Sequence, residues 1–273
     1  MEGKVFLNGE FLDAQDALAL VLESGLLSGW GLFETMRYYQ NKIVGLGEHL
    51  ERIQASSKTI GIKMPFTLAR LKGVIKKTVQ LNGFSDTRVR LTIWRQKKDP
   101  AILVSAEKYI PYPRQRYAQG FKLAVSRFTV AEDSFLAGLK STSRLLYELS
   151  FKEAQDRGFD EALILNNSGY LAEASRSNLF LVKGKTLFTP GLSCGCLKGI
   201  TRGVVIKLAI KYSIKIKEGN FTLQDLYHAD EAFLTNSLMG VMPVRFLEDQ
   251  SIGKKRCGEL TNFFIQKYSC LLK

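Results

Sequence analysis

The chain has 273 residues, 45% of them hydrophobic and 24% charged, with 39 Lys and Arg against 26 Asp and Glu for a formal net charge of +13. This is the composition of a soluble globular protein with enough residues for a substantial core in one or two domains. The absence of any run of about 18 apolar residues, and of a basic-then-apolar leader, excludes a membrane-spanning reading and makes cytoplasmic the expected location.

The four cysteines, Cys194, Cys196, Cys257 and Cys270, are too few and too unevenly spread for a disulfide scaffold. Cys194-Gly-Cys196 lacks a second ligand pair, so no metal is expected. The lysines are scattered, among them Lys72, Lys76, Lys77, Lys207, Lys211, Lys215 and Lys217, on elements that also carry core faces. We read them as a solvated basic surface, with no nucleic-acid partner, whose field attracts a small anionic substrate.

In chain order, two apolar runs around Asn8-Gly9 predict a hairpin, because both turn residues tolerate positive φ. The stretch from Leu27 through Arg37, turning at Gln40-Asn41 towards Ile43 and Val44, predicts a second. Glu48 to Ser57 places Leu50, Ile53 and Ser57 on one helix face, where His49 is read as packing or hydrogen bonding. A further helix is predicted from Thr67 to about Leu81, burying Leu68, Leu71, Ile75 and Leu81 and stopped by Gly83. Arg88 to Trp94 alternates as a strand, and Ala101 to Val104 is a short buried one. Two prolines break the pattern between Tyr109 and Tyr117. We place there the join between a smaller domain at 1–112 and a larger one at 121–273, with 113–120 as linker.

Phe121 to Val130 is a predicted strand, and Lys140 follows an apolar run just before a helix from about Ser143 to Arg157, closed by Gly158. The apolar runs Ala162 to Leu165 and Leu179 to Val182 flank the polar patch at Glu173 and predict a hairpin turning through it. After Leu197-Lys-Gly, the spacing of Val204, Val205, Leu208, Ala209 and Tyr212 predicts a helix with Ile200 and Thr201 at its amino end. Free N–H groups, a threonine hydroxyl and a glycine make such an end a ready phosphate seat, although the pattern also fits an ordinary capped helix. A strand at Ile214 to Lys217, a short helix near Leu223 to Tyr227, the apolar stretch from Ala232 to Val244 and a helix from Glu259 to Leu272 complete the chain. The last buries Leu260, Phe263, Phe264 and Leu271 in this reading.

Glu173-Ala-Ser-Arg-Ser-Asn-Leu-Phe180, Leu187-Phe-Thr-Pro190 and Leu197-Lys-Gly-Ile-Thr-Arg202 together resemble the signature of the fold-type IV pyridoxal phosphate enzymes. These include branched-chain aminotransferases, D-amino acid aminotransferases and 4-amino-4-deoxychorismate lyases. Gly29, Gly31, Phe33, Glu34 and Thr35 resemble the family's amino-terminal motif, so the likeness covers nearly the whole chain. It implies an α/β (α+β) fold of two domains, a smaller amino-terminal α/β domain and a larger carboxy-terminal one with the site between them, and a homodimer.

The same resemblance implies pyridoxal 5′-phosphate as cofactor, bound through a Schiff base to Lys140, with Glu173 opposite the pyridine nitrogen. Arg52, Ile200 and Thr201 would anchor the phosphate, and Asn236 and Ser237 would contact phosphate or substrate. Phe33, Arg90, Arg95 and Arg144 are the candidates facing the substrate, the arginines for its carboxylates. Leu136-Ala-Gly-Leu-Lys140, Arg144-Leu145 and Thr235-Asn-Ser-Leu-Met239 look most like the aminodeoxychorismate lyases. The expected reaction is loss of pyruvate to give 4-aminobenzoate, a folate precursor. The alternatives are a D-amino acid or branched-chain aminotransferase and, from another class, a non-catalytic basic binding protein. Phe33 in place of a tyrosine argues against D-amino acids, and Arg144-Leu145 in place of asparagine and tyrosine argues against branched-chain substrates.

Overall fold

Alternation of apolar and polar residues over short runs, punctuated by residues that accept positive φ, produces sheets. In the computed structural model, which describes residues 3–18, 27–97, 99–254 and 257–272, two sheets form within a mixed α/β fold. The chain divides into two compact units, one of Met1–Ile110, Leu139–Ser143 and Leu272–Lys273, the other of Pro111–Gly138 and Arg144–Leu271.

The first unit contains β1 (Lys4–Leu7), β2 (Glu10–Asp13), α1 (Ala14–Leu18), β3 (Gly31–Tyr39), β4 (Lys42–Ile43), α2 (Leu46–Thr59), α3 (Leu68–Asn82), β5 (Asp86–Trp94) and β6 (Ala101–Lys108). Both expected hairpins are present, with Asn8, Gly9, Gln40 and Asn41 at positive φ. The described strands form an antiparallel sheet in the order β2-β1-β6-β5-β3-β4. Leu32 and Met36 of β3 and Val89, Leu91 and Ile93 of β5 form a core with Leu50, Ile53, Leu71 and Ile75 from the helices. Leu81, expected in that core, is 43% exposed at the carboxy-terminal end of α3. The helical period carries it off the buried face set by Leu71, Ile75 and Val79.

The second unit contains α4 (Arg114–Gln119), β7 (Phe121–Val125), α5 (Leu145–Asp156), β8 (Glu161–Leu165), β9 (Leu171–Ala174), β10 (Asn178–Lys183), β11 (Thr186–Pro190), α6 (Ile200–Lys211), β12 (Lys215–Gly219), α7 (Leu223–Tyr227), β13 (Glu231–Asn236), β14 (Gly240–Leu247), β15 (Gln250–Ser251) and α8 (Glu259–Leu272). Its described strands run β12-β11-β10-β13-β14-β7-β8-β9, with β15 on β14. The β11–β12, β14–β7 and β7–β8 pairs are parallel.

The hairpin expected between Ala162–Leu165 and Leu179–Val182 does not form. Glu173 lies in a strand of its own, β9, which pairs with β8, while β10 pairs with β11 and β13. Four residues with a carboxylate among them hide an apolar strand from pattern reading. Two further expectations need correction: β7 ends at Val125 rather than Val130, and in α8 Phe264 is buried but Leu271 is 42% exposed. No described helix is long and apolar enough to cross a membrane.

Candidate functional site

Lys140 belongs to the first unit through its backbone. Its carbonyl accepts from Phe33 N (2.9 Å), Thr142 N donates to Gly31 O (2.9 Å), and Ser141 bridges Leu32, so the segment lies along the start of β3. Two glycines permit this approach. A Cβ on Gly31 would sit 3.0 Å from Ile93 O, Thr142 Oγ1 and Trp94 Cβ, and one on Gly29, at φ 67°, would run into the Ser143 hydroxyl.

Lys140 Nζ stands 4.6 Å from the centre of the buried Phe33 ring, and the Arg90 guanidinium is 4.0 Å from the same ring. The register explains the meeting. Phe33 faces Thr92 and Thr35 faces Arg90, so Phe33 and Arg90 are diagonal neighbours on the sheet face opposite the core. Arg95 stacks over Trp30 at 4.5 Å. A guanidinium stacked on a ring uses its face, a contact that does not involve the in-plane donors suited to a carboxylate.

Arg52 lies on α2, whose buried face also carries His49. Both meet Glu34, which occupies a core-facing position of β3 and is 1% exposed. Arg52 Nε donates to Glu34 Oε1 (2.7 Å) and Nη2 to Oε2 (2.5 Å), while His49 Nδ1 is 2.6 Å from Oε2. Burial pushes the Glu34 carboxyl up, but the His49 and Arg52 hydrogen bonds and charges outweigh it and hold the group down at about 2. Burial lowers His49 below its ordinary value, against the pull of Glu34. An ionised carboxylate only accepts, so His49 Nδ1 carries the proton and donates it to the bond.

In the second unit Glu173 is buried, and its Oε2 accepts from Leu197 N (3.1 Å) and Asn178 Nδ2 (3.2 Å). The Tyr147 hydroxyl also hydrogen-bonds this carboxylate; burial first, then the Glu173 charge, raises the phenol above its ordinary value. Asn178 Nδ2 donates in addition to Leu197 O (2.8 Å), tying Glu173 to the approach of α6. Gly199 is required there, since a Cβ would overlap the Asn178 side-chain oxygen. Sequence reasoning missed Asn178 and Tyr147. Asn178 lay inside the quoted motif without a role, and Tyr147 was one residue of a helix.

Helix α6 starts after Gly199 with no side-chain cap, leaving its first N–H groups to an external acceptor, and Thr201 is buried in its first turn. The Thr235 hydroxyl, next to Asn236, is buried with no hydrogen-bond partner among the described residues. The Asn236 amide ties its own turn to the turn between β9 and β10. Nδ2 donates to Arg176 O (3.3 Å) and Ser177 Oγ (3.2 Å), while Oδ1 accepts from Leu238 N (3.0 Å) and Met239 N (2.9 Å). It shapes the turn that carries Ser237. Arg144 grips the loop after Glu173, donating from Nη2 to Ser175 O (2.7 Å) and from Nε to Glu148 (3.3 Å).

Ser175 is held from a second side by Glu161, whose Oε1 accepts from the Ser175 hydroxyl and from Ala162 N. Burial raises the Glu161 carboxyl to about 7, against the hydrogen bonds that lower it. Between its ordinary 4.5 and this value the folded chain holds a proton that the unfolded chain has released, so stability falls as pH rises through that window. Glu161→Gln should abolish this slope. It should leave stability near pH 4.5 little changed and raise it by up to about 3 kcal/mol at pH 8, as read by urea midpoints at both pH values.

In the first unit a lysine amine stands beside an aromatic ring, and in the second a buried carboxylate is ringed by donors and an uncapped helix start carries a threonine. An amine suits an aldehyde, a carboxylate a pyridine nitrogen and free N–H groups a phosphate, so each unit carries residues whose chemistry fits pyridoxal phosphate. Comparison with known proteins agrees. The model of the class IV amino-transferases matches residues 31–247. A Methanocaldococcus jannaschii protein named "Putative branched-chain-amino-acid aminotransferase" is 35% identical over 276 residues, covering 97% of this chain and 95% of that one. The aminodeoxychorismate lyase of Bacillus subtilis is 30% identical over 270 residues, covering 94% and 91%. The T.th. branched-chain amino acid aminotransferase solved with pyridoxamine 5′-phosphate superposes with a TM-score of 0.93 at 28% identity, covering 98% and 93%.

The chain therefore belongs to the class IV amino-transferase family. It is a pyridoxal phosphate enzyme of fold type IV.

Proposed function

We propose that this enzyme is an aminotransferase that moves the amino group of a branched-chain amino acid to a 2-oxo acid. The observation that carries this reading is the 35% identity, across nearly the full length of both chains, to the protein with the branched-chain aminotransferase name. The local geometry is consistent with it. The Phe33 ring beside Lys140 offers an apolar wall to a branched side chain, and Arg90 on the same ring offers a carboxylate partner. The Arg144-Leu145 pair, which argued against such substrates, is followed two positions later by Tyr147, whose phenol contacts Glu173. The lyase favoured from motif likeness thus gives way. It stays as a second reading because of the 30% identity to the Bacillus subtilis enzyme.

When bound, pyridoxal phosphate supplies an electron sink for the pair left at the substrate carbon. Lys140 Nζ is assigned the covalent hold on the cofactor and, once displaced, the movement of the substrate proton as general acid and base. Glu173, in a shell formed by Tyr147, Asn178 and Leu197 N, would hold a proton on the ring nitrogen. The α6 amino end with Ile200 and Thr201, and Arg52, would be the groups that hold the phosphate. Asn236 orders the turn that presents Ser237. Arg90 or Arg95 orients a substrate carboxylate, and Phe33 keeps water from the amine.

The test is spectroscopic. Leucine, isoleucine or valine should bleach the violet band of the purified enzyme, and a 2-oxo acid should restore it. Equimolar 4-aminobenzoate and pyruvate from aminodeoxychorismate, with no bleaching by these amino acids, would establish the lyase instead.

A further inference from the structure

One buried charge takes no direct part in this chemistry. Glu34 sits at a position of β3 where the register calls for an apolar side chain, between Leu32 and Met36 and opposite Leu91, in a face otherwise filled by Leu50, Ile53 and Val89. A carboxylate there is costly unless it is paired. For stability alone, apolar residues of similar volume commonly serve as well as a buried ion pair.

What the carboxylate does have is geometry. Its two oxygens engage Nε and Nη2 of Arg52, one whole edge of the guanidinium, at 2.7 and 2.5 Å. Two parallel bonds fix both the plane and the rotation of the group, where a single bond would leave it free to swivel. His49, three residues before Arg52 on the same helix face, donates to Oε2 and holds the carboxylate in turn. The arrangement is a clamp on a cation, two oxygens facing three donors.

We infer that Glu34 is a positioning residue for the cofactor phosphate, acting only through Arg52 by fixing the orientation of its guanidinium. The inference rests on the assignment of Arg52 to the phosphate.

Its test compares two probes on the full-length protein stripped of cofactor, pyridoxal 5′-phosphate and pyridoxal, which lacks the phosphate. Dissociation constants are read by absorbance titration. Glu34→Gln, which cannot accept from both Arg52 nitrogens, should weaken pyridoxal phosphate about tenfold or more and leave pyridoxal unchanged. Glu34→Asp, which keeps the charge but not the reach, should do the same and covers the case in which the glutamine variant fails to fold. Added to Arg52→Ala, neither change should cost anything further.

Equal weakening of both probes would mean a merely structural role and would overturn the inference. Tighter phosphate binding would overturn it as well, since Glu34 would then be restraining the arginine charge rather than aiming it. If Arg52→Ala itself shows no phosphate-selective loss, the assignment of Arg52 fails and the inference falls with it. If Arg52→Ala shows that loss and the Glu34 variants do not, the inference alone fails.

Discussion

Lys140→Ala should yield a folded protein with no violet absorbance band and with turnover lowered by about 10⁴, the upper end of what one general acid–base group contributes. Two effects combine. On the proposed roles, the variant loses both the amine that would hold the cofactor covalently and the base that would move the substrate proton. The fold should tolerate the change, because what pins this segment to β3 is its backbone, through Phe33 N to Lys140 O and Thr142 N to Gly31 O. Unfolding midpoints and far-ultraviolet circular dichroism check the second half of the expectation. An exogenous amine of small size should restore part of the turnover without restoring the covalent band. A variant that keeps both band and turnover would remove Lys140 from the chemistry.

The second large effect belongs to Glu173. Glu173→Gln keeps the volume and one acceptor for Leu197 N and Asn178 Nδ2, but removes the charge proposed to hold a proton on the cofactor ring. Loss of one preorganised electrostatic partner of a reacting group costs about 10²–10³ in turnover. The deficit should appear in turnover while cofactor affinity changes little, since the phosphate anchors are untouched. In the unmutated protein the carboxylate is encircled by Tyr147, Asn178 and the Leu197 amide. Single-turnover absorbance measurements separate the two quantities, and an unchanged rate of proton removal would refute the role.

Several of the candidate residues stand out from residue order alone. The helix opening at Ile200 was legible because five apolar residues at helical spacing follow a glycine, and Glu173 and Lys140 were legible through motif likeness. What could not be read depends on strand register and chain crossing. Glu34 and Arg52 are joined by side chains from a strand and a helix, and nothing local in either motif marks the pairing. Asn178 matters because β9 and β10 bring it between Glu173 and the approach to α6, and Gly199 because Asn178 is there. Asn236 and Arg144 were singled out as contacts to phosphate or substrate. What the order of residues did not reveal is that both also hold neighbouring loops, through hydrogen bonds to Arg176, Ser177 and Ser175. Leu81 and Leu271 were misjudged at helix ends, where the buried stripe has rotated past.

The attachment of Lys140 to the start of β3 joins positions about a hundred residues apart, and closing so long a loop is slow relative to forming hairpins and helices. The amine thus reaches its place only after a long closure, as does the pairing of β7 with β14. Chains that have formed their hairpins and helices but not yet laid Lys140 beside Phe33 would be unable to hold the cofactor covalently. The violet band is then a clock for the completed molecule: on refolding with cofactor present it should lag the recovery of secondary structure, so a preparation's absorbance per chain measures its correctly folded fraction rather than its protein content.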